Sequence, residues 1–142
     1  MFRELTEEEM KLIEGSGYSK KAIELYVNAV NVGMVDHPTL VTSYRGPCGD
    51  LIELSLRIGP QDLIEDAKFY YVGCPGSASS ASALTLILKN KSVSQAKEFT
   101  EKDILEELGG LPDSKLDCPK LCIETLKKAL AQFDKIKGRS EL

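Results

Sequence analysis

Along the middle of the chain apolar and polar residues alternate, the period-two signature of half-buried strands. Leu40, Thr42 and Tyr44 alternate with Val41, Ser43 and Arg45 and predict a first strand. Ile52, Leu54, Leu56 and Ile58 alternate with Glu53, Ser55 and Arg57 and predict a second. Gly59-Pro60-Gln61-Asp62 turns the chain, and Ala67 to Val72 predicts a third. Short turns between consecutive strands imply an antiparallel meander.

On either side the period lengthens to that of a helix. Thr6 to Glu14 reads as a short helix, with Thr6 as N-cap and Glu9 completing a capping box, and Gly15-Ser16-Gly17 stopping it. Ser19 caps a second helix, Lys20 to about Val30, which Asn31-Val32-Gly33 ends. After the strands, Pro75 to Ser80 runs into Ala81, Leu84, Ile87 and Leu88, a helix with one apolar stripe that ends at Asn90 and Lys91. Shorter helices are predicted at Ser94 to Phe99 and Thr100 to Leu108, broken by Gly109-Gly110. The last helix, Pro119 to about Ile136, lines up Cys122, Leu126, Ala129, Leu130, Phe133 and Ile136. The fold class that follows is α+β: a small antiparallel three-stranded sheet packed against about five helices in a two-layer sandwich. We expect one domain over residues 1–142, with 1–17 as a short N-terminal helical extension.

Composition narrows the function. A chain of 142 residues, 42% hydrophobic and 28% charged, suits one folded domain rather than a disordered segment. A formal net charge of -4 without a basic cluster argues against nucleic acid or an anionic membrane as partner. The N-terminus carries no apolar run of signal-peptide length, and the longest apolar run, Leu84 to Leu88, is too short to span a bilayer. A cytoplasmic location is expected. Disulfides are rare there, so four cysteines suggest metal or thiol chemistry, the more so with one histidine and no tryptophan.

Three of those cysteines stand at element ends. Cys48 lies in Gly46-Pro47-Cys48-Gly49-Asp50, between the first two strands. Cys74 lies where the third strand hands over to a helix, and Cys118 lies before Pro119 at the start of the last helix. Loop tips beside Gly, Pro and Asp expose a thiol, and a helix N-terminus lowers its pKa. No Cys-x-x-Cys pair is present, so spacing alone leaves a shared site and independent residues equally open.

From Tyr18 onward the chain resembles the IscU/NifU-type iron–sulfur cluster scaffold family. The resemblance rests on Tyr18-Ser19-Lys20-Lys21, Asn31-Val32-Gly33, Cys48-Gly49-Asp50, Gly73-Cys74, Ala78 to Ser82, and Leu116-Asp117-Cys118 leading into Lys127-Lys128-Ala129-Leu130. The gaps of 26 residues from Cys48 to Cys74 and 44 from Cys74 to Cys118 also look like the family's. The resemblance implies a non-enzymatic scaffold that accepts sulfur from a cysteine desulfurase, builds a transient [2Fe-2S] cluster and passes it to apo iron–sulfur acceptor proteins. It implies Cys48, Cys74 and Cys118 as ligands, Asp50 as fourth donor or release gate, and Cys118 as the sulfur-accepting candidate. One oxygen donor among thiolates suits a temporary holder of a soft cluster.

Several positions depart from the pattern. Asp117 stands where many family members carry a histidine, which points to a carboxylate donor from Asp50 or Asp117; a helix-capping role for Asp117 is the alternative. Leu111-Pro112-Asp113-Ser114-Lys115 keeps only the ends of the family's chaperone-recognition segment, which leaves a chaperone partner open, as it does a homodimer. The zinc-binding, SufU-like sulfur-acceptor branch carries an insertion that the gap between Cys74 and Cys118 lacks, so zinc in place of iron is the second reading. Cys122 is expected to be a buried small hydrophobe, with an additional ligand role as its alternative. A thiol-redox protein is a third reading, resting on Cys118 and Cys122 as the pair closest in sequence. His37 is expected to be a loop residue.

Overall fold

The computed structural model describes residues 4–140; the first three residues of the expected N-terminal extension and the last two of the chain lie outside the described part. The elements run α1 (Glu7–Ser16), α2 (Lys20–Val27), β1 (Leu40–Arg45), β2 (Leu51–Ile58), β3 (Ile64–Val72), α3 (Pro75–Leu88), α4 (Val93–Ala96), α5 (Glu101–Leu108) and α6 (Asp117–Ser140), with short 3₁₀ turns at Pro60–Asp62 and Asp113–Lys115. The strands form one antiparallel sheet in the order β1-β2-β3. The expected α+β class and three-stranded meander are therefore observed, with six α-helices among the described residues.

Pairing of Leu40 with Leu56 and of Leu54 with Phe69 puts the apolar set of all three strands on one face. Leu40, Ile52, Leu54, Leu56, Ala67 and Phe69 are buried there, against the stripe Leu121, Cys122, Leu126, Ala129, Leu130 and Phe133 of α6. The opposite face is covered at Ser55 by Val35 and is open toward the end of β3, where Val72 is 60% exposed and Tyr70 48%. One helical layer on one side of the sheet makes two layers. Among the described residues no helix is long and apolar enough to cross a membrane.

Local chemistry sets the element ends. Thr6 and Glu9 close the expected capping box, with Glu9 N donating to Thr6 Oγ1 at 3.2 Å and Thr6 N to Glu9 Oε1 at 2.8 Å. Ser19 caps α2 by accepting from Ala22 N at 3.0 Å. α2 stops at Val27, a turn earlier than its periodicity suggests, because the following segment bonds to the sheet instead. Phe69 N donates to Asn31 O at 3.0 Å and Gly33 N to Phe69 O at 2.8 Å, covering the β3 edge. β3 starts at Ile64 rather than Ala67 because Ile64 exchanges backbone bonds with Asn90 and Lys91.

Two helices differ from expectation in ways that matter for the site. α3 is buried on nearly every side, Gly76 through Thr85 and Leu88, not along one stripe. Its small residues let β3, α2, α5 and α6 all approach closely. Some of its hydroxyls bond nearby carbonyls: Ser82 Oγ donates to Val30 O at 2.7 Å and Thr85 Oγ1 to Ser82 O at 2.7 Å. α6 begins at Asp117, so Cys118 sits in its first turn and not ahead of it, and Asp117 is a first-turn residue.

Phe69 is fully buried between sheet and helices. Phe69→Ala should cost about 3–5 kcal/mol through lost burial and a cavity, measured as a lower urea midpoint at unchanged slope.

Candidate metal centre

The register of β2 against β3 brings two chain ends together. Leu51 pairs with Val72, so Asp50 enters the sheet beside the point where Gly73 and Cys74 leave it. A Cβ on Gly73 would fall 2.7 Å from the Asp50 carboxyl carbon, so only glycine lets this carboxylate lie where it does. Cys74 is the N-cap of α3 and Cys118 comes down from the first turn of α6. Asp50, Cys74 and Cys118 thus offer three ligand atoms that all lie within 4.8 Å of one another.

Inside the group, Cys74 Sγ lies 3.8 Å from Cys118 Sγ and 3.8 Å from Asp50 Oδ2. Two thiolates about 2.3 Å from a tetrahedral metal stand about 3.8 Å apart, so the sulfurs are at ligand spacing and not at disulfide spacing. Ser77, buried in the first turn of α3, donates its hydroxyl to Asp50 Oδ2 at 2.6 Å. The Ser77 hydroxyl oxygen is also 3.6 Å from Cys118 Sγ and 3.8 Å from Cys74 Sγ. Gly76 keeps the roof low: a Cβ there would be 3.0 Å from Cys118 Sγ and 3.3 Å from the Tyr18 hydroxyl.

The two clustered thiols differ in acidity. Burial opposes ionisation of Cys74, but the Ser77 and Gly76 amides at the helix N-terminus, the Ser77 hydroxyl and the Cys118 thiol outweigh it, and its pKa is lowered. Burial pushes the Cys118 thiol up to about 11; the Ser77 hydroxyl works against this, and the Cys74 and Asp50 charges add to it. The expectation that a helix N-terminus lowers this thiol's pKa fails because Cys118 is only 7% exposed. Lys115 faces the group, and the Cys74 charge raises its pKa. Burial, then Cys74, raises that of Tyr18.

Cys48 is exposed and stands outside the three-donor group. It tips the β1–β2 hairpin, held by Gly49 N donating to Gly46 O at 3.0 Å and Gly46 N to Asp50 O at 2.9 Å. With Asp117, Lys120 and Leu121 it lines a neighbouring cleft of about 330 Å³. Asp117 is exposed and also outside the group, whereas Cys122 is fully buried in the core with its thiol pushed far up by burial. The sulfur pair brought together is Cys74 with Cys118; the sequence-adjacent Cys118 and Cys122 of the redox reading include a thiol with no access to solvent. His37 is an exposed loop residue with φ 51°. Sequence reasoning gave no role to Ser77, Tyr18 or Lys115. For Ser77 a signal existed, since residue i+3 from an N-cap faces the capping side chain; for the other two, only the fold supplies the proximity.

Residues 17–140 match the family model described as the NifU-like N terminal domain. The chain is 36% identical over 126 residues to the iron–sulfur cluster assembly scaffold protein IscU of Aquifex aeolicus, covering 87% of this chain and 80% of that one. It is 39% identical over 120 residues to IscU of Rickettsia prowazekii, covering 82% and 91%. A crystal structure presented as a candidate iron–sulfur scaffold for the SUF system of Fervidobacterium islandicum superposes with a TM-score of 0.62 at 23% identity, covering 82% of this chain and 99% of that one. That last likeness concerns the fold.

The difference in thiol acidity is open to test. At pH 8 iodoacetamide should label Cys48 and Cys74 before Cys118, and Cys122 only after unfolding. Between pH 8 and 11 labelling of Cys118 should accelerate most, because its thiolate fraction is still rising there. Timed quenching and peptide mass spectrometry read the rates.

Proposed function

The chain belongs to the NifU-like N terminal domain family, and we propose that it is an iron–sulfur cluster assembly scaffold. In this reading residues 1–142 act as one scaffold domain. Sulfur comes from a cysteine desulfurase, a [2Fe-2S] cluster is assembled on Cys48, Asp50, Cys74 and Cys118, and apo acceptor proteins receive it. The observation that carries this reading is the preassembled set of one carboxylate and two thiols, gathered from three separate elements. Relatives more than a third identical over most of their length carry the scaffold name.

The donor set suits cargo rather than a permanent centre. A closed thiolate cage would hold iron firmly, whereas a carboxylate oxygen is the softer cluster's weakest partner and the first to let go. The exposed hairpin tip leaves one side of the group open, with Cys48 as the thiol that folds over the guest. Accessibility also bears on sulfur receipt. Persulfide transfer needs an approachable thiolate, and burial with a pKa near 11 speaks against Cys118 as first acceptor. Cys48 is the sulfur that an incoming persulfide meets, and Cys118 then serves as ligand.

A second reading has one observation in its favour: a sulfur separation of 3.8 Å fits tetrahedral zinc as well as iron. The chain would then be a zinc-bound sulfur acceptor beside a desulfurase. Anaerobic purification with iron, zinc and acid-labile sulfide analysis separates the two. The scaffold reading expects a red-brown protein with iron and sulfide in equal amounts, lost in air; stoichiometric zinc without sulfide would replace it by the second reading. Cys74→Ala should abolish loading and Cys122→Ala should leave it unchanged.

A further inference from the structure

We propose that Ser77 is a positioning residue which aims the Asp50 carboxylate at Cys74 and Cys118, so that a three-donor half-site stands ready before any metal arrives. The proposal rests on the scaffold reading and deepens it. Ser77 has one hydroxyl proton and three neighbours able to accept it. Asp50 Oδ2, at 2.6 Å, is the closest and, as a carboxylate oxygen, the strongest acceptor; the sulfurs of Cys118 and Cys74, at 3.6 and 3.8 Å, lie at the long, weak end of hydrogen-bond range. The hydroxyl is fully buried, so no solvent water replaces the bond once it is lost.

The geometry leaves the carboxylate few other places to go. On one side it lies against the bare Cα of Gly73, where even a methyl group would collide. On the other the Ser77 hydroxyl holds one oxygen, leaving that oxygen's remaining lone pair and the second oxygen for a cation. A free aspartate at a strand start samples several rotamers, and binding must freeze them at an entropic cost. Ser77 meets that cost during folding. The hydroxyl also remains in place when a metal takes the carboxylate, because an oxygen can ligate and accept a hydrogen bond together.

The test uses Co2+ as probe, added anaerobically to the metal-free protein, with affinity from calorimetry and geometry from the Co2+ absorption spectrum. Ser77→Ala should weaken Co2+ binding about 10- to 100-fold, the usual effect of removing a hydrogen bond that orients a ligand. It should do nothing further in an Asp50→Ala background, since its effect runs through that carboxylate. Gly73→Ala, acting from a different element, should weaken binding in the same way and be equally silent without Asp50. Ser77→Ala binding Co2+ as tightly as wild type would overturn the proposal, as would an equal loss with and without Asp50. Wild-type protein that binds Co2+ while either result is obtained leaves the scaffold reading standing; wild-type protein that binds none brings down both.

Discussion

The alignment of β2 against β3 is the constraint on which the candidate centre depends. Asp50 is the last residue before β2 and Cys74 the second after β3, and the two meet only because Leu51 sits opposite Val72. A slip of one residue would turn the apolar set of a strand to the open face, exposing Leu54 or Phe69. Core packing and site assembly are therefore the same requirement. The fold needs no separate device to bring a carboxylate and a thiol together; burying the right side chains does it.

The strands were legible because apolar residues alternate with polar ones along them, and β1 runs from Leu40 to Arg45 as its alternation indicates. Capping at Thr6 and Ser19 was legible because it is local chemistry. α3 was not, since periodicity has nothing to report when a helix is enclosed all round by small residues. The true end of α2 was hidden for another reason: Asn31 and Gly33 bond to Phe69, a partner more than thirty residues away. At the site, position at element ends and the family resemblance drew attention to three thiols but not to which of them meet. Clustering of Cys74 with Cys118, the separate cleft beside Cys48, and the Ser77 hydrogen bond to Asp50 are tertiary facts.

Within the centre, one physical variable sorts the cysteines. Cys48 is exposed, Cys74 half-buried, Cys118 buried and Cys122 sealed in the core. Loss of water raises the cost of a thiolate step by step along that series, and only Cys74 recovers it from helix amides and a hydroxyl. Four chemically identical side chains thereby become a surface thiol, a ready anion, a reluctant one and a packing residue. The distinction comes from where the fold places each thiol and from the side chains around it.

Length gives α6 a mechanical meaning. Its 24 residues reach about 36 Å, with Cys118 at one extremity and Leu126, Leu130 and Phe133 embedded farther along. The ion pairs Lys97–Asp134 and Lys137–Asp62 fasten its distal half at the surface, each worth about 1 kcal/mol or less. The embedded stripe is the real anchor, so translating the rod would sacrifice many kilocalories of burial. The five residues that link β1 to β2 lie differently, with Pro47, Cys48 and Gly49 exposed at their centre rather than embedded in the core.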